Sequence, residues 1–251
     1  MLFDHYEKGP FFDEMFSSQN GDVFRHYEAL FARFQRMEET ELRLKQKSVD
    51  DAFLEQGVTF TVYSDDRGTE RIFPFDLLPR VIPEREWSHI EQGLMQRIVA
   101  LNLFLNDVYQ DRKIITDGVV PAEVVDSAVH YRPEMRGIRV PKDIYIHVCG
   151  TDLIRDEHGE YLVLEDNGRC PSGVSYVLEN REAMKRAFPG LYQEMGVRPV
   201  DPYPELLLQT LRNVAPRPVS DPVCVLLTPG VHNSGSKADM KTAATAAAVS
   251  A

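Results

Sequence analysis

Thr151-Asp-Leu-Ile-Arg-Asp-Glu-His-Gly-Glu-Tyr-Leu-Val-Leu-Glu-Asp-Asn-Gly-Arg169 is the stretch on which the fold of this chain turns. It reads as strand, tight turn, strand, with the second strand ending in Glu165-Asp-Asn167. Side chains alternate along a strand, so Glu165 and Asn167 share a face. Antiparallel pairing brings Asp152, near the far end of the first strand, back beside Glu165. Two carboxylates and an amide oxygen then converge on one small volume. Such hard oxygen donors suit Mg²⁺ and suit zinc or iron poorly. Arg169 follows closely, a planar cation able to hold phosphate through two parallel hydrogen bonds. Magnesium ligands beside a phosphate-binding arginine point to nucleotide chemistry.

A plainer reading stands beside it. Acids at hairpin ends are usually solvated surface, and Asp-Asn-Gly is a common turn sequence. The frame around the acids favours the site. Tyr161 to Leu164 is a nearly continuous apolar run, which predicts a strand central in its sheet. Polar groups crowded at the end of a buried strand are more often functional than those on a free hairpin.

The string from Leu164 to Tyr176, Leu-Glu-Asp-Asn-Gly-Arg-Cys-Pro-Ser-Gly-Val-Ser-Tyr, resembles the signature of the circularly permuted ATP-grasp proteins of the second type. These are similar to the ATP-grasp half of glutathionylspermidine synthase. Supporting segments are Glu84-Arg-Glu-Trp87, Gly93-Leu-Met-Gln-Arg97, Ala100 to Tyr109, Arg132-Pro-Glu134 and Thr228-Pro-Gly230. The resemblance runs from the N-terminus to about Asn233. It implies an ATP-dependent carboxylate–amine ligase, with ATP and Mg²⁺ as cofactors. Asp152, Glu165 and Asn167 match the magnesium ligands of the superfamily. Arg169, Ser172 and Gly173 are assigned to the nucleotide, and Arg169 also to catalysis. A helix start near Ser172 would aim backbone N–H groups at an anion; capping by Ser172 or Ser175 explains these serines equally well.

Two features of the family pattern are missing. The relatives' arginine two residues before the first acidic ligand is replaced by Gly150. Their nucleotide-gripping lysine and Gly-rich segment lie downstream, where this chain turns Ala-rich, and have no equivalent here. Arg132 or Arg155 could substitute for the arginine, although Arg155 should point away on a regular strand. Lys185 and Arg186 read as solvated helix surface. The alternative function is therefore a non-catalytic one: a truncated or frameshifted fragment, or a binding subunit whose partner chain supplies the Lys-bearing half.

Composition sets the outer limits. The chain has 251 residues, of which 43% are hydrophobic and 27% charged, which is ordinary for a soluble globular protein. A net charge of −11 argues against a nucleic-acid groove. No apolar run is long enough to span a bilayer, and the N-terminus lacks a signal-peptide pattern. Cys149, Cys170 and Cys224 are widely spaced and indicate neither zinc nor a redox pair. A reducing cytoplasm is the simplest compartment. The expected partners are small-molecule or peptide carboxylate and amine substrates, with no nucleic acid and no membrane.

The predicted fold is α+β, a partial ATP-grasp-like unit with a mixed or antiparallel sheet flanked by helices. The sheet is expected from Tyr145–Val148, Leu153–Arg155 and Tyr161–Leu164. Helical periodicity runs from Asp22 to about Gln46, and from Glu84 to about Asp111, where Trp87, Ile90, Leu94, Ile98, Leu101, Leu105 and Val108 form one seam. A shorter helix opens at Pro121, another spans Val174 to Ala187, and a third follows Pro202 with Leu206, Leu207 and Leu211 on its buried face. Gly57–Tyr63 and Arg71–Phe75 read as strands around a turn at residues 65–68. Val223 to Thr228 has a buried-strand pattern. The regions are 1–80 (helix and hairpin), 81–215 (ATP-grasp-like, with the metal-ligand hairpin), 216–233 (linker and start of a further domain) and 234–251 (Ala-rich tail, expected to be disordered).

Overall fold

The computed structural model describes residues 3–17, 21–62, 69–169, 171, 173–215, 220, 222–223 and 225. Among these are helices α1 (Glu28–Gln35), α2 (Glu39–Gln56), α3 (Glu84–Tyr109), α4 (Lys113–Thr116), α5 (Ala122–Asp126), α6 (Val174–Ala187), α7 (Pro189–Glu194) and α8 (Tyr203–Asn213). The strands are β1 (Thr59–Val62), β2 (Thr69–Ile72), β3 (Gly150–Arg155) and β4 (Tyr161–Asn167). They form two antiparallel hairpins, β1–β2 and β3–β4. The fold is the expected mixture of helices and antiparallel strands. The turn at 65–68, Cys170, Ser172, Cys224, the segment 226–230 and the tail lie outside the described residues.

The first helical region is two helices rather than one. α1 stops at Gln35, Glu38 takes an extended conformation (φ −74°, ψ 146°), and α2 begins with Glu39 and Glu41 in its first turn. Acids there suit the positive end of the helix dipole. α2 ends at Gly57 (φ 67°), with the Val58 N–H donating to the Phe53 carbonyl at 2.8 Å. That closing bond needs a left-handed residue, which glycine adopts without steric cost.

The core is built where α1, α2, α6 and α7 meet. Leu30, Phe34 and Phe53 are at most 1% exposed, and Phe188 from the α6–α7 junction is 2% exposed. Phe34 and Phe188 lie 5.3 Å apart, ring to ring. Lys45 of α2 donates to the Ala187 carbonyl at 2.9 Å, satisfying the C-terminal end of α6. The Tyr176 hydroxyl donates to the Thr59 carbonyl at 2.9 Å and its ring stacks on Phe73 at 4.1 Å, which fixes α6 to the first hairpin.

α3 carries the second hairpin. Of its expected seam only Ile90 and Val108 are buried; Leu94, Ile98, Leu101 and Leu105 are half-buried, and Trp87 is 38% exposed. α8 differs from expectation. Pro204 and Leu208 are buried, while Leu206 and Leu211 are exposed, so the packed face is turned from the one proposed. The expected strand Tyr145–Val148 is not one. Asn102 Oδ1 accepts from the Tyr145 and Ile146 N–H groups at 2.8 and 2.9 Å, and Tyr145 stacks on Tyr109 at 5.7 Å. A helix side chain thus takes the place of a ladder partner. Among the described residues β4 is therefore not central in a wider sheet, and Leu162, Val163 and Leu164 are exposed.

Candidate functional site

The β3–β4 hairpin turns over Asp156, whose Oδ1 accepts from the His158 and Glu160 N–H groups, both at 2.9 Å. Those donors hold its carboxyl below the ordinary carboxylate range. Gly159 completes the turn at φ +87°, and a Cβ there would meet the Phe12 ring at 2.7 Å. The N-terminal segment thus lies directly against the turn.

From the turn to the open end, Arg155 faces Tyr161, Ile154 faces Leu162 and Leu153 faces Val163. The register then slips by one residue, and Asp152 faces Glu165, Thr151 faces Asp166, Gly150 faces Asn167. Leu164 is the extra residue, so this is a β-bulge. It divides the hairpin into two faces. The outer face carries Asp152, Ile154, Leu162, Glu165 and Asn167, all exposed. The inner face carries Thr151, Arg155, Tyr161 and Asp166 and lies on α3.

The inner contacts are polar and matched in length. Glu86 of α3 accepts from Arg155 and from the Tyr161 hydroxyl, both at 3.2 Å, and Arg97 pairs with Asp166 at 2.6 Å. Eleven helical residues and five strand residues each rise about 16 Å, so the two elements run side by side between these contacts. Thr151 also donates to Asp166 at 2.9 Å. Arg155 is enclosed: it pairs with Glu14 at 3.3 Å and lies 4.2 Å from the Phe12 ring and 4.7 Å from the Tyr161 ring. Burial pushes the Tyr161 phenol up to about 12, with Glu86 adding to the effect and Arg155 opposing it.

The three sequence-predicted metal ligands come together on the outer face. Asn167 Nδ2 lies 3.4 Å from Asp152 Oδ2 and 3.2 Å from Glu165 Oε1. Neither carboxylate has a cationic partner among the described residues. Like charges directly across a strand pair destabilise it, and here an amide N–H pair offsets the repulsion. Turning the Asn167 amide over would present three oxygens to one point. That donor set fits a hard divalent cation. Among the described residues no three His, Cys, Asp or Glu side chains gather as a metal cluster, so the amide is required as the third ligand.

Arg169 is exposed at the same end and makes no ion pair among the described residues. Gly173 is the residue before α6 and caps it without a side chain; Ser175 is inside the first turn and 1% exposed. Ser172 lies outside the described residues. Arg155, a candidate replacement for the family arginine, points to the opposite face, as a regular β3 requires. Arg132 donates to the Val129 and Tyr131 carbonyls. At Gly150 an added Cβ would stand 2.8 Å from the Pro171 Cβ. A side chain at this position would therefore have to push the Pro171 ring away.

The Asp166–Arg97 pair and the Glu86–Arg155 pair were not anticipated. A signal existed: Glu86, Ile90 and Arg97 fall on one stripe of α3. Among the described residues no helix is long and apolar enough to cross a membrane.

Comparison with known proteins gives the family. The chain is 46% identical to an uncharacterised protein of Synechocystis over 234 residues, covering 93% of this chain and 48% of that protein. It is 47% identical to an uncharacterised protein of Mycobacterium tuberculosis over 223 residues, 89% of this chain and 40% of that protein. A putative glutamate–cysteine ligase of Frankia alni is 35% identical over 237 residues, 93% of this chain and 27% of that protein. The chain thus spans less than half the length of these relatives. Residues 79–246 match the family model described as a circularly permuted ATPgrasp. That span holds α3, the bulged hairpin with its two carboxylates and amide, and α6, and by it the chain belongs to the circularly permuted ATP-grasp family.

Proposed function

We propose that this chain contributes the magnesium–ATP ligands of an ATP-dependent carboxylate–amine ligase. The observation that carries the reading is the meeting of Asp152, Glu165 and Asn167 at the open end of a hairpin, with no cation of the described protein to neutralise them. Asp152, Glu165 and Asn167 would hold Mg²⁺, which would supply charge neutralisation for the phosphates of ATP. The reaction class is transfer of the terminal phosphoryl group of ATP to a substrate carboxylate, giving an acyl phosphate and ADP. An amine then displaces phosphate, forming the amide bond and releasing a proton.

The chain's own residues would divide the work. Asp152, Glu165 and Asn167 hold the cation. Asp166, locked by Arg97 and Thr151, fixes the strand phase that aims Glu165 outward. Arg169 supplies a positive charge for phosphate, and the backbone of Gly173, at the start of α6, is assigned to the nucleotide together with Ser172. The name of the Frankia relative favours an amino-acid or peptide carboxylate and an amino-acid amine as substrates. The compartment consistent with this chemistry is the cytoplasm, with no nucleic acid or membrane as partner.

A second reading, binding without turnover, is favoured by the shortage of cations. ATP carries about four negative charges, and phosphoryl transfer is catalysed almost entirely by positioning and electrostatic stabilisation. Arg169 alone is a thin counter-charge on a chain of net charge −11. In this reading the 251-residue product is a fragment or a binding subunit, and a partner supplies the Lys-bearing half. Titration of Mg·ATP into the purified chain, with phosphate release measured alongside, separates the outcomes. Magnesium-dependent binding lost in Glu165→Gln supports the site. Turnover that disappears in the same variant shows the chain to be catalytically sufficient. Binding indifferent to both magnesium and Glu165 removes the site reading.

A further inference from the structure

We propose that the cavity at the turn end of the β3–β4 hairpin is a second small-molecule site, one that takes an aromatic α-amino acid as its zwitterion. The cavity holds about 410 Å³ between the N-terminal segment, residues 78–80 and the hairpin turn, within the size range of small-molecule sites. Phe11 is 82% exposed, makes no ring pair among the described residues, and lines the cavity with Leu78 and Tyr27. An aromatic ligand would cover that ring in an offset stack or edge-to-face. The site lies at Arg155 and Asp156, on the inner side of the hairpin. Asp152 is three strand residues away, about 10 Å, on the outer face. The site is thus separate from the proposed magnesium–ATP cluster and does not rest on that reading.

Unspent hydrogen-bonding capacity on the cavity wall states the ligand's charges. Arg80 gives only its Nε–H away, to Glu14 at 2.6 Å, so both terminal nitrogens of its guanidinium lack a partner among the described residues. Tyr27 is 3% exposed; its hydroxyl oxygen accepts from the Val81 N–H at 2.8 Å, while its own hydrogen finds no acceptor among the described residues. A guanidinium fork and a buried O–H donor together suit a carboxylate. The opposite sign comes from Asp156. Its Oδ1 is taken by the His158 and Glu160 N–H groups, and its Oδ2 has no partner among the described residues. An ammonium group suits that oxygen. The other acids on the wall are already matched. Glu14 is held by Arg80 and Arg155, and Asp13 by the Tyr6 hydroxyl and the Met15 and Phe16 N–H groups. One cationic contact, one anionic contact and an apolar wall fit a zwitterion with an aromatic side chain. A simple acid would leave Asp156 unmatched, and a simple amine would leave Arg80 unmatched.

Isothermal titration of phenylalanine into the purified chain, without nucleotide or magnesium, tests the site. Phenylalanine should bind one-to-one with a dissociation constant of about 1 mM or below. 3-Phenylpropanoate and phenethylamine each lack one charge and should bind at least about tenfold more weakly, as expected on losing a charge-assisted hydrogen bond. Arg80→Gln, Asp156→Asn and Phe11→Ala should each weaken phenylalanine by about tenfold or more. The Arg80 and Phe11 side chains are mostly exposed, and Asp156→Asn keeps the Oδ1 acceptor of the turn, so the melting of the three variants without ligand should match that of the parent chain. Glu165→Gln should leave phenylalanine binding unchanged. No saturable binding up to about 10 mM overturns the proposal. Equal binding of the one-charge analogues overturns it too, as does an affinity indifferent to both Arg80→Gln and Phe11→Ala. Loss of phenylalanine binding in Glu165→Gln also overturns it, because the amino acid would then sit at the outer-face cluster.

Discussion

The α1–α2–α6–α7 core and the β3–β4 hairpin hold themselves together in opposite ways. In the core, Phe34, Phe53 and Phe188 interlock with almost no exposed surface. The hairpin is attached to α3 mainly through charged and polar tethers, Glu86 to Arg155 and Tyr161, and Arg97 to Asp166. Its apolar side chains face outward instead. Apolar burial is non-directional and tolerates small shifts, whereas an ion pair fixes a distance and an angle. The core therefore sets whether the chain folds, and the tethers set where the acidic residues point.

Substitutions should separate these roles, beginning with the largest effect. Phe53→Ala should cost about 3–5 kcal/mol, the usual range for emptying a buried aromatic site. Urea unfolding would measure it, and a loss under 1 kcal/mol would mean that the core is not where stability resides. Arg155→Ala should cost about 2–3 kcal/mol, because it strands Glu14 and Glu86 beside each other and removes the guanidinium from the Phe12 and Tyr161 rings. The same urea series reads this out, and a neutral result would make the tether decorative.

Arg97→Gln probes the other tether. Its cost in stability should be only about 1 kcal/mol, since the arginine is partly exposed. Magnesium-dependent nucleotide binding should nevertheless weaken by about tenfold, as expected when a group that orients a metal ligand's strand is lost. Unchanged binding would break the link between Asp166 and the ligand face. Glu165→Gln should change stability by no more than about 0.5 kcal/mol while abolishing that binding. If it unfolds the protein instead, Glu165 is structural and the contrast between the two regions collapses.

The smallest effect expected is on pH dependence. His26 sits between Phe24 and Tyr27, with ring centroids at 5.6 and 5.0 Å, and burial lowers its pKa, partly offset by Glu86 and Glu14. A histidine whose folded pKa is lowered contributes stability that is complete above its unfolded pKa of about 6.5 and is lost as pH falls below it. Melting curves from pH 7.5 to 5 should slope downward toward acid, less so in His26→Gln. An equal slope in both proteins would assign the acid sensitivity elsewhere.

Much of this organisation was legible in the sequence. The long helix, the helix from Val174 to Ala187 and the acidic hairpin follow from 3.6-residue and 2-residue periodicities and from Asp-Glu-His-Gly as a turn. Alternation puts Glu165 and Asn167 on one face, but Asp152 joins them only through the bulge at Leu164, which composition does not announce. The break between α1 and α2 is not announced either, because Leu30, Phe34 and Met37 keep helical spacing across it. Tyr145–Val148 looks like a strand because a half-buried extended segment has the same composition whether its N–H groups pair with a strand or with Asn102. The buried place given to Tyr161–Leu164 failed for a different reason: apolar composition does not say how many strands flank a segment, and among the described residues β4 pairs with β3 alone.

Leu164 has one more consequence, and it concerns counting. Glu165 and Asp166 are adjacent carboxylates with opposite tasks, one facing the open side and the other held by Arg97. Which does which is a matter of parity along β4, and the single extra residue in the strand sets that parity. Its identity is nearly free, since an exposed side chain at a bulge touches little. Its place outside the ladder is not. Pairing Leu164 with Asp152 in an unbroken ladder would turn Glu165 toward the arginine and deliver Asp166 to the outer side, exchanging a longer side chain for a shorter one beside the ligand cluster. A sequence of this kind can therefore drift at the position while remaining intolerant of a slip in register.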